Sequence, residues 1–256
     1  MRPRPQPGWP LPALFAHRCG GALAPENTLA GLRVAARLGL AAIEFDVMLS
    51  ADGTPWLIHD ETLERTTNGH GLVAASSDAA LAALDAGCRH HPAWAGEPLP
   101  TLRAAAVLCR ALGLRANVEI KPAAGHEART GEVVARQVLE LWAGDMLPLV
   151  SSFSPQALAA ARAAAPGLPL GCLWERPPAD WRRCLDALGA ATLHCAADEL
   201  DDAVLAEAHA HGVPVLCYTV NAAAAARDLR QRGVAALFSD RIDLLSGPDA
   251  APGRSA

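Results

Sequence analysis

Short unbroken apolar runs alternate along this chain with Ala/Leu/Arg-rich stretches in which apolar positions recur at helical spacing. The runs cover 13–17, 42–47, 115–120, 147–153, 168–174, 191–195, 213–220 and 234–239. The helical patterns cover 28–38, 102–112, 131–143, 155–165, 179–188, 201–211 and 222–232. Buried parallel strands read as short continuous apolar segments, and strand–helix alternation implies a parallel sheet. Eight such runs in 256 residues predict an α/β fold of the (β/α)8 TIM-barrel type. A doubly wound sheet is the competing architecture, but no GxGxxG follows the first run.

The alternation breaks in two places. Between 42–47 and the apolar stretch 55–60 there is no room for a crossover helix. Asp52-Gly53 is a two-residue hairpin signal, so an antiparallel hairpin is expected. With that loop, Ala51 pairs with Thr54, Asp46 lies opposite His59, and Glu44 shares their face. The second break, about 61–100, is rich in Thr, Gly, Asp, His and Pro and holds one helix-like patch at 77–84. It is too long for an ordinary βα loop and is expected to form a small inserted subdomain over the upper face of the barrel. The whole chain, 1–256, then reads as one domain, with a frayed tail at about 247–256.

Composition narrows the function. A chain that is 51% hydrophobic and 19% charged has the makings of a full core, which excludes disorder. No uncharged apolar stretch of about 18 residues occurs, so no membrane partner is expected. The net charge of −5 and the lack of a basic block argue against nucleic acid. Seven cysteines without a CxxC pair, and a proline-rich start without an apolar h-region, predict reduced thiols and a cytoplasmic location. Self-association stays open. Among the 22 basic residues, Lys121 is the single lysine.

The polar residues at the ends of the predicted strands carry the chemistry. His17-Arg18 ends the first, Glu44 and Asp46 lie on the second, His59-Asp60 follow the hairpin, and Glu119 and Lys121 alternate on the next barrel strand. In a (β/α)8 barrel the C-terminal strand ends surround the active site. Glu44, Asp46 and Glu119 would repel one another without relief, and a divalent cation such as Mg2+, Ca2+ or Mn2+ supplies it. With that cation, Arg18 and Lys121, the site carries one net positive charge, which suits a phosphodiester. His17 and His59 are placed for acid/base work near neutral pH. Asn27 is expected to N-cap the helix that follows it. Cys19 is read as a packing residue, and His70, His90 and His91 as surface residues of the insertion. His126, His194, His209 and His211 read as structural, with His194 the one to re-examine because it ends a strand.

Taken in order, several segments resemble the glycerophosphodiester phosphodiesterase family, in its compact bacterial cytosolic form. They are Ala16-His17-Arg18-Cys19-Gly20-Gly21, Ala24-Pro25-Glu26-Asn27-Thr28, Glu44-Phe45-Asp46-Val47, His59-Asp60, Arg65-Thr66-Thr67-Asn68-Gly69, Glu119-Ile120-Lys121 and Tyr218-Thr219-Val220-Asn221. The resemblance implies a TIM barrel with a small insertion. It implies metal-dependent hydrolysis of small-molecule glycerophosphodiesters, such as glycerophosphocholine and glycerophosphoethanolamine, to an alcohol and sn-glycerol 3-phosphate. By position, it implies Glu44, Asp46 and Glu119 as metal ligands, His17 and His59 as the acid/base pair, and Arg18 and Lys121 as phosphate contacts. The nucleophile is water or the neighbouring glycerol hydroxyl. The chain departs from the family pattern at Cys19, where Gly is usual, at Tyr218, where Trp is common, and at Ser239-Asp240-Arg241-Ile242, read as a structural variation. Three other functions compete: a membrane-acting phospholipase barrel, a non-catalytic phosphate-binding barrel, and an aldolase using Lys121 as a Schiff base.

Overall fold

The computed structural model describes residues 11–143 and 147–245. Among the described residues there are nine strands: β1 (Leu14–Ala16), β2 (Ala42–Leu49), β3 (Pro55–Leu57), β4 (Arg115–Ile120), β5 (Leu149–Ser152), β6 (Leu170–Trp174), β7 (Thr192–Ala196), β8 (Val215–Tyr218) and β9 (Ala236–Ser239). All except β3 are parallel and close into an eight-stranded barrel, with β1 pairing β2 on one side and β9 on the other. The helices are α1 (Leu29–Arg37), α2 (Asp78–Ala82), α3 (Leu102–Leu112), α4 (Glu127–Leu141), α5 (Pro155–Ala164), α6 (Trp181–Leu188), α7 (Asp202–Ala210), α8 (Ala223–Arg232) and α9 (Ile242–Leu245). The expected tail at 247–256 lies outside the described residues, as does most of the N-terminal stretch. Among the described residues no helix is long and apolar enough to cross a membrane, and all seven cysteines are unpaired.

Strand alternation divides the core in two. Ile43, Phe45 and Val47 of β2, Val118 and Ile120 of β4 and Cys195 of β7 face outward and pack under Leu32, Ala105, Val134 and Ala157 of the helices. Each such buried side chain contributes about 1.5–3 kcal/mol when large. Phe15, Ala42, Leu149, Leu216, Ala236 and Phe238 fill the lower barrel interior. The intervening polar positions, Glu44, Asp46, Asn117 and Glu119, are therefore left to line the upper interior.

Two local expectations need correction. Helix α4 begins at Glu127, one turn before 131, although Gly131 is a poor helix former. Gly131 is there for proximity: a Cβ on it would sit 2.1 Å from the Ala157 carbonyl oxygen of α5. The hairpin closes differently as well. Ser50 N–H donates to Thr54 O and Gly53 N–H to Ser50 O, so Ala51-Asp52-Gly53 form a three-residue loop with Gly53 at φ 85°. The ladder then pairs Val47 with Leu57 and Leu49 with Pro55. Asp46 faces Ile58, whose N–H donates to the Asp46 carbonyl at 3.1 Å, and not His59. A one-residue shift turns every side chain to the other face. His59 reaches the barrel mouth because the chain leaves the strand after Leu57 and bends.

The stretch beyond the hairpin holds α2, capped by Ser77, with short 3-10 turns and a separate apolar cluster of Met48, Trp56, Ile58, Leu63, Val73, Leu81, Ala86 and Leu99. Asp78 ties this stretch to the hairpin by accepting from Ser50 Oγ at 2.6 Å and Trp56 Nε1 at 3.0 Å.

Candidate active site at the barrel mouth

The β2–β4 register sets Glu44 beside Asn117 and Asp46 beside Glu119. As a result Glu44, Asp46 and Glu119 each offer an oxygen within 4.8 Å of the others, and all three residues are buried. Burial, then the charges of Asp46 and Glu119, push the Glu44 carboxyl well above its usual pKa. Burial and Asp46 push Glu119 to about 8. Glu44 Oε1 is buried without a hydrogen-bond partner among the described residues, and Glu119 Oε1 has Lys121 Nζ at 3.5 Å. Three buried carboxylates with spare oxygen lone pairs and no thiolate or imidazole among them form a hard, all-oxygen donor set. That set fits a divalent cation such as Mg2+, Ca2+ or Mn2+.

A histidine stands on each side of this cluster, and each is backed by a carboxylate. His17 Nδ1–H donates to Asp240 Oδ1 at 2.7 Å, and His59 Nδ1–H donates to Asp60 Oδ1 at 2.6 Å. A carboxylate only accepts, so both rings carry their proton on Nδ1 and leave Nε2 for the site. At His59 that nitrogen accepts from Lys121 Nζ at 3.1 Å. Burial lowers the His59 pKa; Asp46 and Asp60 oppose the shift, while Arg18 and Lys121 add to it. Burial disfavours ionisation of Asp240, but the hydrogen bonds from His17 and Asn221 outweigh it and hold the carboxyl below its usual pKa.

Arg18 approaches Asp46 Oδ2 with Nε at 3.7 Å and gives Nη1 to Glu26 at 3.1 Å. Its backbone N–H donates to Glu44 Oε2 at 2.9 Å. The turn after β1 is unusual for non-glycine residues: Arg18, Cys19 and Asn27 have φ of 50°, 76° and 56°. Such positions are costly and gather at functional sites. The φ of Cys19 gives a reason for the family's usual Gly there. Cys19 itself is fully buried, and burial raises its thiol pKa well above the usual value, which suits a packing residue.

Asn27 does not cap α1. Thr28 does, with Oγ1 accepting from Gly31 N–H at 3.2 Å. Asn27 instead makes a two-way clamp on Asp46: its Nδ2 donates to Oδ2 at 2.9 Å, and its Oδ1 accepts from the Asp46 N–H at 3.0 Å. Glu26, Asp60, Arg65 and Asp240 join the site although the sequence alone assigns them no role at the barrel mouth. Glu26 accepts from Arg65 at 2.7 and 2.8 Å while holding Arg18, and Arg65 grips Asp60 with two further hydrogen bonds. Asp240 directly follows the last strand, where barrel closure brings it to the end of β1; that position was the available signal.

Five of the other histidines lie apart, while His194 of β7 lines the cavity described below. His70 is exposed, His91 caps a 3-10 turn, and His126 precedes α4. His209 donates to the Gly233 carbonyl at 3.0 Å, and His211 accepts from Arg182 at 2.6 Å. His90 lines an open cleft of about 600 Å³ on the His17 side, together with Arg65 and Arg89. A second open cleft, of about 720 Å³, flanks His59, Lys121 and Phe153. Between the two lies a more enclosed cavity of about 220 Å³ that contains the carboxylates, His17, His59, Arg18 and Lys121. Tyr218 lines it as well, with its hydroxyl donating to the Trp174 carbonyl at 2.8 Å.

The comparisons with known proteins agree with this geometry. The profile of the glycerophosphoryl diester phosphodiesterase family matches residues 17–244. A glycerophosphodiester phosphodiesterase of Caldanaerobacter subterraneus is 35% identical over 162 residues, covering 63% of this chain and 66% of that one. The YhdW protein of Bacillus subtilis is 31% identical over 240 residues, covering 91% and 96%. Among solved structures, an Oleispira antarctica phosphodiesterase in complex with the product sn-glycerol-3-phosphate superposes with a TM-score of 0.87 at 37% identity, covering 90% of this chain and 94% of that one. With barrel, buried carboxylates and the match over 17–244 in agreement, the chain belongs to the glycerophosphoryl diester phosphodiesterase family.

Proposed function

We propose that the chain hydrolyses glycerophosphodiesters, among them glycerophosphocholine and glycerophosphoethanolamine, to an alcohol and sn-glycerol 3-phosphate. The observation that carries this reading is the meeting of Glu44, Asp46 and Glu119 between two histidines that are each backed by a carboxylate. The product bound to the Oleispira antarctica relative supports the same substrate class. The seven unpaired cysteines suit a reducing compartment, which supports a cytoplasmic enzyme.

Glu44, Asp46 and Glu119 would hold one divalent cation, Mg2+, Ca2+ or Mn2+. When bound, that cation polarises a phosphoryl oxygen as a Lewis acid. Arg18 and Lys121 contact the phosphate and offset the charge that grows on it in the transition state. The phosphate's negative charge draws the Lys121 ammonium from His59 Nε2 and opens their 3.1 Å contact. His17 Nε2 takes a proton from the nucleophile, which is water or the neighbouring glycerol hydroxyl. Once Lys121 has moved away, His59 Nε2 takes up a proton from solvent, so that the ring stands as the imidazolium against Asp60, and it then gives that proton to the leaving alcohol oxygen. Asp240 and Asp60 hold the two rings and stabilise each while it is protonated.

A panel of glycerophosphodiesters assayed for released sn-glycerol 3-phosphate, with and without chelator, tests the reading. Chelated protein is expected to be inactive and to recover on addition of Mg2+, Ca2+ or Mn2+. Full activity after rigorous metal removal overturns the metal assignment. No release from any member of the panel, with metal supplied, overturns the function.

A further inference from the structure

The site opens on two sides, and the two openings carry opposite charge. The cleft of about 600 Å³ beside His17 is rimmed by Arg65, Arg89 and His90. The cleft of about 720 Å³ beside His59 is rimmed by Glu61, Glu127 and Phe153, and His59, Glu119 and Lys121 form its inner wall. Glu61 follows the hairpin and is exposed. Glu127 opens α4, where hydrogen bonds from its own N–H and from Gly125 N–H hold its carboxyl below the usual pKa. The lysine that lines this cleft, Lys121, is already held by Glu119 at 3.5 Å and His59 at 3.1 Å. Neither Glu61 nor Glu127 has an ion-pair partner among the described residues.

Phe153, in the turn after β5, is 45% exposed at the edge of the same cleft. Its ring already lies under an ammonium, with Lys121 Nζ 5.9 Å from the centroid, which marks the ring face as a contact for a cation. Once the phosphate draws Lys121 inward, that face is open to a cation of the substrate. The course of the reaction points to the same cleft. An in-line displacement puts the nucleophile and the leaving oxygen on opposite sides of the phosphorus. With His17 at the nucleophile and His59 at the leaving oxygen, the alcohol departs on the His59 side.

Building on the glycerophosphodiesterase reading, we propose that the His59 cleft selects leaving alcohols that carry a cation, with Phe153 against the ammonium and Glu61 and Glu127 supplying the opposite charge. Neutral alcohols find only apolar contact there, and the two carboxylates repel anionic ones. The arginine-lined cleft beside His17 has no part in choosing the alcohol. Glu61, Glu127 and Phe153 are specificity residues and take no part in proton transfer.

The test compares glycerophosphocholine with its neutral isostere, the glycerophosphodiester of 3,3-dimethylbutanol, in which carbon replaces the quaternary nitrogen. Release of sn-glycerol 3-phosphate is measured with Mg2+ supplied. At low salt the wild-type protein is expected to show a kcat/KM about tenfold higher for glycerophosphocholine. That ratio is expected to fall as salt rises toward 1 M, where the Debye length shrinks to about 3 Å. Glu61→Gln and Glu127→Gln combined are expected to bring the ratio within about threefold of one. Phe153→Leu keeps an apolar contact without the ring and is expected to lower the ratio about threefold. Arg89→Gln, in the opposite cleft, is expected to leave it unchanged. A wild-type ratio near one overturns the proposal. So does a ratio that the combined glutamine variant leaves intact, or one that Arg89→Gln shifts as far. If the wild type cleaves neither diester, the function falls, and calorimetry on the same protein decides the cleft: tighter binding of glycerophosphocholine upholds its selectivity, and equal affinities overturn it.

Discussion

The two histidines of the site look alike at the ring and differ in how they are held. His17 belongs to the barrel wall: it follows β1, and its carboxylate partner, 223 residues away, follows β9. His59 belongs to the appended hairpin and is backed by the next residue, Asp60. Asp60 is itself secured by Arg65, which also grips Glu26 and through it reaches Arg18. The first arm is made by closing the barrel. The second is made locally and then guyed to the first by a chain of charges. A strand end is positioned by the whole sheet, whereas a bend beyond a three-residue loop needs extra ties to be as well placed.

Four measurements break or sharpen this comparison. The largest effect is expected from His17→Ala and His59→Ala, each lowering kcat by about 10²–10⁴ with the fold kept. A p-nitrophenyl diester, whose leaving group needs no proton, is expected to rescue His59→Ala and not His17→Ala; the opposite rescue exchanges their roles. Next come Asp240→Asn and Asp60→Asn, each expected to cost about 10–100-fold in kcat/KM by loosening one ring. Equal kcat/KM in wild type and either variant would free that histidine of its carboxylate.

Lys121→Arg follows, with a loss of about tenfold in kcat/KM, because a broad guanidinium cannot occupy the place of an ammonium between His59 and Glu119. Unaltered kinetics would remove Lys121 from the phosphate contacts.

The smallest effect concerns stability. The hydrogen bond from Arg65 outweighs the opposing effect of burial and, with that from His59, holds the Asp60 carboxyl well below its usual pKa. A depressed folded-state pKa stabilises the protein above the unfolded carboxylate value of about 4, and that contribution fades as pH falls through the folded value. The Tm gap between wild type and Arg65→Gln is therefore expected to be widest above about pH 5 and to close toward about pH 2. A gap that is constant with pH would show that Arg65 acts through packing alone.

The barrel was legible in the sequence because its strands are short apolar runs, a pattern that burial on both faces enforces. Glu44, Asp46, Glu119 and Lys121 were legible for the complementary reason, being charged residues at alternate positions where apolar ones are the rule. The hairpin register was not. Asp52-Gly53 marks the turn, but whether two or three residues close it depends on the φ of 85° at Gly53, and one residue of shift sends Asp46 opposite Ile58. Asn27 misled because an Asn ahead of a helix has a standard local use, while its real partner, Asp46, comes from another strand. Asp240 stayed hidden because its significance appears only when β9 is set beside β1.

That last pairing also makes a clock of the molecule. The residue that orients His17 is among the last of the family-matched span to be synthesised, and it comes within reach only once β9 has paired with β1. A chain synthesised only through β8 carries the residues of seven parallel strands and both histidines, and still lacks the Asp240 that orients His17. Turnover then begins when the ring shuts, so the appearance of activity during synthesis or refolding times the final seam, where a spectroscopic signal would average over every strand.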